Sequence, residues 1–226
     1  FTKYTANAGT PDLIAAIIAK FKNDNNLEYG SAEILVSSGA KQSIYNVLMA
    51  ICNPGDEVIY QSPYWVSYPE MVKLVQGKSV VIDAGPESGY KITPAQLKAA
   101  ITPKSKVFIF NSPSNPSGAA YTPEEIQALC AVLAETDIIT ISDEIYEKIT
   151  FDGGQHYSPA QYPGLRDKTV VINGLSKAYS MTGWRVGYAA GPKYIIDVAA
   201  NLQSHSTSNA CSVSQKAATA ALTGPT

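Results

Sequence analysis

The 226 residues are enough for one large domain or a domain and a half, and the composition, 45% hydrophobic and 16% charged, is globular. No run approaches the roughly eighteen apolar residues of a membrane span. A net charge of -2 argues against a polyanion, so neither a membrane nor a nucleic-acid partner is expected.

Seven short apolar runs, at residues 33–36, 57–60, 79–82, 106–110, 138–141, 169–172 and 186–190, lack polar alternation and predict strands buried on both faces. Amphipathic stretches at 11–23, 41–51, 65–75, 94–100, 123–135, 193–202 and 212–222 predict helices. Thr-Pro pairs at 10–11, 93–94 and 122–123 place threonine at the N-cap and proline at the first helical position. Strand and helix alternating in this way imply an α/β fold of three layers, α/β/α, around a mostly parallel sheet. Such sheets bind ligands at the carboxyl ends of their strands, so the residues after each run are the candidate site residues.

After the first run, Ser38, Gly39, Ala40 and Lys41 open a helix with little side-chain bulk. Free N–H groups there suit a phosphate, although plain turn chemistry gives the same pattern. Tyr64 and Trp65 follow the second run, either as core aromatics or with the indole flat against a planar ring. In NSPSNPSG, residues 111–118, Asn115 is either a self-bonded turn residue or an amide that donates to a ligand oxygen. Asp143 ends an uncharged run at the rim of the sheet and needs a cation or a donor, or else caps the next turn; Tyr146 offers a phenol close by.

The sixth run leads through Asn173 and Gly174 to Lys177, and the seventh begins just after Arg185. A lysine buried at a strand end becomes a nucleophile if it sheds its proton. The chain has fifteen lysines but only two arginines, Arg166 and Arg185, which singles out Arg185 as a bidentate phosphate ligand. Together these groups complement pyridoxal 5'-phosphate: a phosphate cradle, a stacking indole, an amide and a phenol for a ring oxygen, a carboxylate for the ring nitrogen, and an amine for the aldehyde.

Cys52, Cys130 and Cys211 are odd in number, far apart and without ligand spacing. They read as buried structural thiols in a reducing cytosol, so a cytoplasmic location is expected. His156 and His205 are isolated, and neither a metal site nor a histidine triad is expected.

The stretches YTANAGTPDL, SSGAKQ, NPGDEVIYQSPYWVSYPEM, NSPSNPSGAAYT, ISDEIYE and NGLSKAYSMTGWRVGY resemble class I aminotransferases of the aspartate aminotransferase superfamily, in the family's order and over nearly the whole chain. SPYWVSYPEM and SKAYSMTGWRVGY look most like the prokaryotic-type aspartate enzymes, some of which also use prephenate. The resemblance implies a fold type I architecture and ping-pong transfer of an amino group, from an amino acid such as aspartate to an oxo acid such as 2-oxoglutarate.

It also implies roles. Lys177 bonds covalently to the cofactor and moves the proton. Asp143 binds the ring nitrogen, Tyr146 and Asn115 the ring oxygen, and Trp65 the ring face, with Trp65 and Asn115 also touching substrate. Gly39, Ala40, Lys41 and Arg185 take the phosphate. Tyr4 reaches the phosphate of a neighbouring subunit, which implies a homodimer with shared sites. Gly174 stands where many members carry a phosphate-binding serine, with Ser176 as the nearby hydroxyl.

Neither Arg166 nor Arg185 matches the family's arginine for the substrate carboxylate. Residues 1–226 are therefore expected to be the large cofactor-binding domain, without the small domain built from both chain ends. Alone, they are expected to bind cofactor poorly and to transaminate slowly or not at all. Alternatives on the same scaffold are an aromatic or alanine aminotransferase, a carbon-sulfur lyase, or a non-enzymatic sensor domain.

Overall fold

The computed structural model describes residues 2–151 and 153–225. Seven strands form one sheet: β1 (Ile34–Ser37), β2 (Glu57–Ser62), β3 (Lys78–Asp83), β4 (Ser105–Asn111), β5 (Ile139–Asp143), β6 (Thr169–Gly174) and β7 (Gly187–Ala190). Their spatial order is β1-β7-β6-β5-β4-β2-β3. β7 runs antiparallel to both its neighbours, and the remaining pairs are parallel. The predicted three-layer α/β/α fold with a mostly parallel sheet is observed.

Seven α-helices cover the sheet: α1 (Pro11–Asn25), α2 (Ala40–Ile51), α3 (Ser67–Leu74), α4 (Pro94–Ala100), α5 (Pro123–Ala134), α6 (Lys193–Ser204) and α7 (Ser212–Thr223). On one face, Leu35, Val58, Ile109, Ile141 and Ile172 pack under α2, α3 and α6. On the other, Val36, Val171 and Tyr188 pack under α1 and α7, and Ile59, Phe108 and Phe110 under α4 and α5. Alternate residues of one strand thus enter opposite cores, which is why these strands read as unbroken apolar runs.

β3 departs from that expectation. It is one of the two edge strands and, unlike β1 at the other edge, has only Ile82 buried, with Val81 45% exposed. Threonine caps also divide. Thr93 and Thr122 accept from the N–H groups of Gln96 and Glu125 in reciprocal capping boxes. Thr10 makes no side-chain cap; its N–H instead donates to Gln215 on α7 at 2.8 Å. The helix predicted from 65 starts at Ser67, which leaves Trp65 in the turn before it. Of the three thiols, Cys130 is buried, Cys52 is half-buried, and Cys211 is exposed beside the start of α7, contrary to the expectation of three buried thiols. Among the described residues no helix is long and apolar enough to cross a membrane.

Register gathers the strand ends. Asn111 pairs with Asp143, Gly174 with Gly187, and Gly187 with Ser37. The reversed β7 therefore begins at the edge where β1, β4, β5 and β6 end.

Candidate active site

A cavity of about 270 Å³ opens at that edge. Ala40, Lys41, Trp65, Asn115, Asp143, Tyr146, Lys177 and Arg185 all line it, although they come from six separate segments. Gly39 lies directly behind this lining. Tyr4 is not brought in: it is 90% exposed and lines a cleft beside Ser208.

One wall is the start of α2. Gly39, its N-cap, has φ of 98°, a conformation that L-residues with side chains rarely adopt. The N–H groups of Ala40 and Lys41 have no hydrogen-bond partner among the described residues, as the first N–H groups of a helix lack intrahelical acceptors. Beside them the Arg185 guanidinium donates to the carbonyls of Thr182 at 3.1 Å and Ser38 at 3.4 Å. Free N–H groups, the positive end of a helix dipole and a guanidinium make an anion cradle. Gly187 lets it close, since a Cβ there would lie 2.2 Å from Ala40 N.

Asp143 forms the floor. Its side chain is buried, and it has no cationic partner among the described residues. Burial pushes its carboxyl up to about 6, against the pull of the Tyr68 hydrogen bond and the Ile145 N–H. Tyr68 Oη donates to Oδ2 at 2.7 Å, while Oδ1 has only the Ile145 N–H at 3.4 Å. A buried carboxylate so thinly satisfied fits a ligand that brings a proton or a positive charge. The sequence reading missed Tyr68. Its signal was the spacing of three from Trp65 across a helix start, which sets both rings side by side, 5.6 Å apart and edge to face.

The remaining walls carry donors and a base. Asn115 donates its backbone N–H to Asn111 at 2.8 Å. Its side-chain amide makes no hydrogen bond with the described residues, so the self-bonded turn is not what forms. Lys177 was expected to be buried. It is instead exposed on the cavity lip, with Nζ 5.6 Å above the Tyr146 ring, because the loop after β6 leaves the sheet before reaching it. Lys41 Nζ lies 4.8 Å above the Trp65 ring, so its ammonium as well as its N–H faces the site. At Gly174 a serine has no room: a Cβ would meet Gly187 Cα and Val186 O at 2.9 Å. Ser176 lines the cavity instead.

These groups fit pyridoxal 5'-phosphate: a cradle for the phosphate, a carboxylate in need of a cation for the ring nitrogen, and an amine within an open cavity for the aldehyde.

A family model described as aminotransferase class I and II matches residues 1–226. The chain is 56% identical over 226 residues to the aspartate/prephenate aminotransferase of Cereibacter sphaeroides, a match covering 99% of this chain and 56% of the relative. The crystal structure of the aspartate aminotransferase from Rhizobium meliloti superposes with a TM-score of 0.98 at 48% identity, covering 99% of this chain and 56% of that one. The Thermus thermophilus aspartate aminotransferase with maleate gives 0.95 at 44% identity, covering 98% and 57%. The chain thus spans a little over half the length of these relatives.

Proposed function

We propose, on the premise that the chain belongs to the class I and II aminotransferases, that residues 1–226 are the large, cofactor-binding domain of an aspartate aminotransferase. The observation that carries this reading is the buried Asp143 on the cavity floor, without a cation of its own, in one cavity with Lys177 and the α2 cradle. Pyridoxal 5'-phosphate, when bound, supplies an electron sink for the charge left when the substrate's alpha carbon loses its proton.

The chain's own residues do the rest. The N–H groups of Ala40 and Lys41, together with Arg185, would hold the phosphate, and Ser176 lines the same cavity. Asp143 keeps a positive charge on the ring nitrogen. Tyr146 and Asn115 donate to the ring oxygen, and Trp65 covers a ring face. Lys177, whose amine stands on the lip of the same cavity, would hold the cofactor at its aldehyde. Free of the cofactor, the same amine would be the base that takes the proton from the substrate's alpha carbon and returns it to the carbon on the other side of the substrate nitrogen.

Aspartate as donor and 2-oxoglutarate as acceptor are supported by the names of the relatives and by maleate, a dicarboxylate, in the Thermus thermophilus structure. The Lys41 ammonium has no carboxylate partner among the described residues, which suits a second substrate carboxylate. Prephenate is a second acceptor on the strength of the Cereibacter sphaeroides name. We further propose a homodimer in which the exposed Tyr4 reaches the partner's cradle, and a cytoplasmic location, in keeping with three unpaired thiols.

Titration of the full chain with pyridoxal 5'-phosphate, borohydride reduction and peptide mapping tests the core of the reading. A pyridoxyl mass on Lys177 is the expected result, and a mass confined to other lysines would overturn it. Single-turnover absorbance should then show faster reaction with aspartate than with alanine or phenylalanine.

A further inference from the structure

The turn after β5 sends its side chains two ways. Asp143, Ile145 and Tyr146 line the cavity, while Glu144 and Glu147 are buried on the side toward α1. Two buried carboxylates behind a site need an explanation, since each unpaired charge would cost several kcal/mol.

All four of their oxygens are engaged by the protein. Glu144 Oε1 accepts from Ser142 Oγ at 2.8 Å and Ser158 Oγ at 2.5 Å, and its Oε2 lies 2.9 Å from His156 Nε2. Glu147 Oε1 pairs with Lys20, and its Oε2 accepts from Asn25 Nδ2 at 3.1 Å. Ligand atoms of Glu144, Glu147 and His156 lie within 4.8 Å of one another, but with every oxygen engaged this is a closed charge network and not an ion site. Two acids and Lys20 balance when His156 is protonated. Burial opposes that charge, but the Glu144 carboxylate beside the ring outweighs it and holds His156 above its ordinary value. Glu144, Glu147 and Lys20 are the charged groups facing the ring.

His156 and Ser158 end the segment that leaves this turn. Between them and Tyr146, Ile149 and Phe151 are 39% and 79% exposed, and Gly153 has φ of 74°. Apolar burial therefore does little to anchor residues 149–151 and 153–155. The same segment walls a second cavity of about 550 Å³, which shares Asn115 and Tyr146 with the first.

We propose that Glu144, His156 and Ser158 are positioning residues: their buried clasp closes the segment 144–158 on itself and fixes the turn that presents Asp143 and Tyr146 to the cavity. None of the three lines the cavity, so their effect on chemistry is indirect. The backbone ties them to it, since Glu144 N donates to Ile172 O of β6 at 2.9 Å and Glu147 N to Glu144 O at 3.0 Å. The inference rests on the cofactor reading only for what the turn holds.

The test compares the full chain with its His156→Ala and His156→Gln variants, the latter keeping an N–H donor without a titrating ring. Hydrogen–deuterium exchange is read on cofactor-free protein, and visible circular dichroism on protein loaded with pyridoxal 5'-phosphate. In His156→Ala, exchange should rise at least about tenfold in both 143–147 and 149–158, with a weakened dichroic band. His156→Gln should restore both to within about threefold. Faster exchange confined to 149–158 with an unchanged band would overturn the proposal, as would a glutamine variant that behaves like the alanine one. If His156→Ala does not fold, Ser158→Ala removes one donor from Glu144 and is read in the same two ways. A missing band in the unsubstituted protein would count against the cofactor reading alone, and exchange would still decide the clasp.

Discussion

A side chain cannot replace the hydrogen at Gly39, because φ is 98° and a Cβ would sit 2.2 Å from Nη2 of Arg185. The two obstacles have different consequences. Backbone strain costs stability, about 1–3 kcal/mol for a residue forced into such a region. Displacing the guanidinium costs ligand affinity. Gly39→Ala is therefore expected to lower the urea-unfolding free energy by about that amount and to weaken cofactor binding at least about tenfold, equivalent to about 1.4 kcal/mol. Equilibrium dialysis of the folded variant checks the second effect, and an unchanged dissociation constant would remove Arg185 from the cradle. Gly174 is constrained by backbone rather than by a side chain, so the family's serine at that place is incompatible with the approach of Gly187 here.

Helix starts show how far local sequence goes. Thr10, Thr93 and Thr122 all precede proline, yet only the latter two cap, both with a glutamine or glutamate three residues on. Thr10 has Leu13 there, fully buried against the sheet. Thr122→Ala should cost about 1 kcal/mol in urea unfolding and Thr10→Ala less than about 0.5 kcal/mol; equal losses would show that the hydroxyl of Thr10 acts through something other than a cap.

The same contrast explains what was legible. Runs such as 138–141 and 169–172 reveal their strands because both faces are buried, and Asp143 and Lys177 were found as residues that follow such runs. The edge position of β3 and the reversal of β7 depend on which strands become neighbours, which no local pattern encodes. The contact between Tyr68 and Asp143 joins residues 75 apart. The clasp was missed because His156 and Glu144 look isolated until the segment between them folds back.

For the whole molecule, the buried charges set a pH range. His156 is held above its ordinary value by the Glu144 carboxylate, so its contribution is complete below about pH 6.5 and is lost as pH rises through its folded value. For Glu144, burial alone would raise the carboxyl. His156 and the hydroxyls of Ser158 and Ser142 outweigh burial and hold it low, so its contribution is present above about pH 4.5 and is lost as pH falls through its folded value. The difference in unfolding free energy between the unsubstituted chain and His156→Ala should therefore be largest between about pH 4.5 and 6.5 and shrink on either side. Urea titrations at half-unit pH steps check this, and a difference that grows above pH 7 would mean that the imidazole is neutral in the native state.

Arg185 and Ser38, whose side chain and carbonyl meet in the cradle, stand 147 residues apart. During ribosomal synthesis at about 5–20 residues per second, the earlier half of the cradle waits roughly 7–30 s for the later one. Through that interval β1, an apolar strand that pairs only with β7 among the described strands, has a bare edge. The anion site is thus among the last parts of the sheet to form, and a nascent chain stalled short of Gly187 exposes, open to aggregation, the edge of β1 that β7 covers in the finished protein.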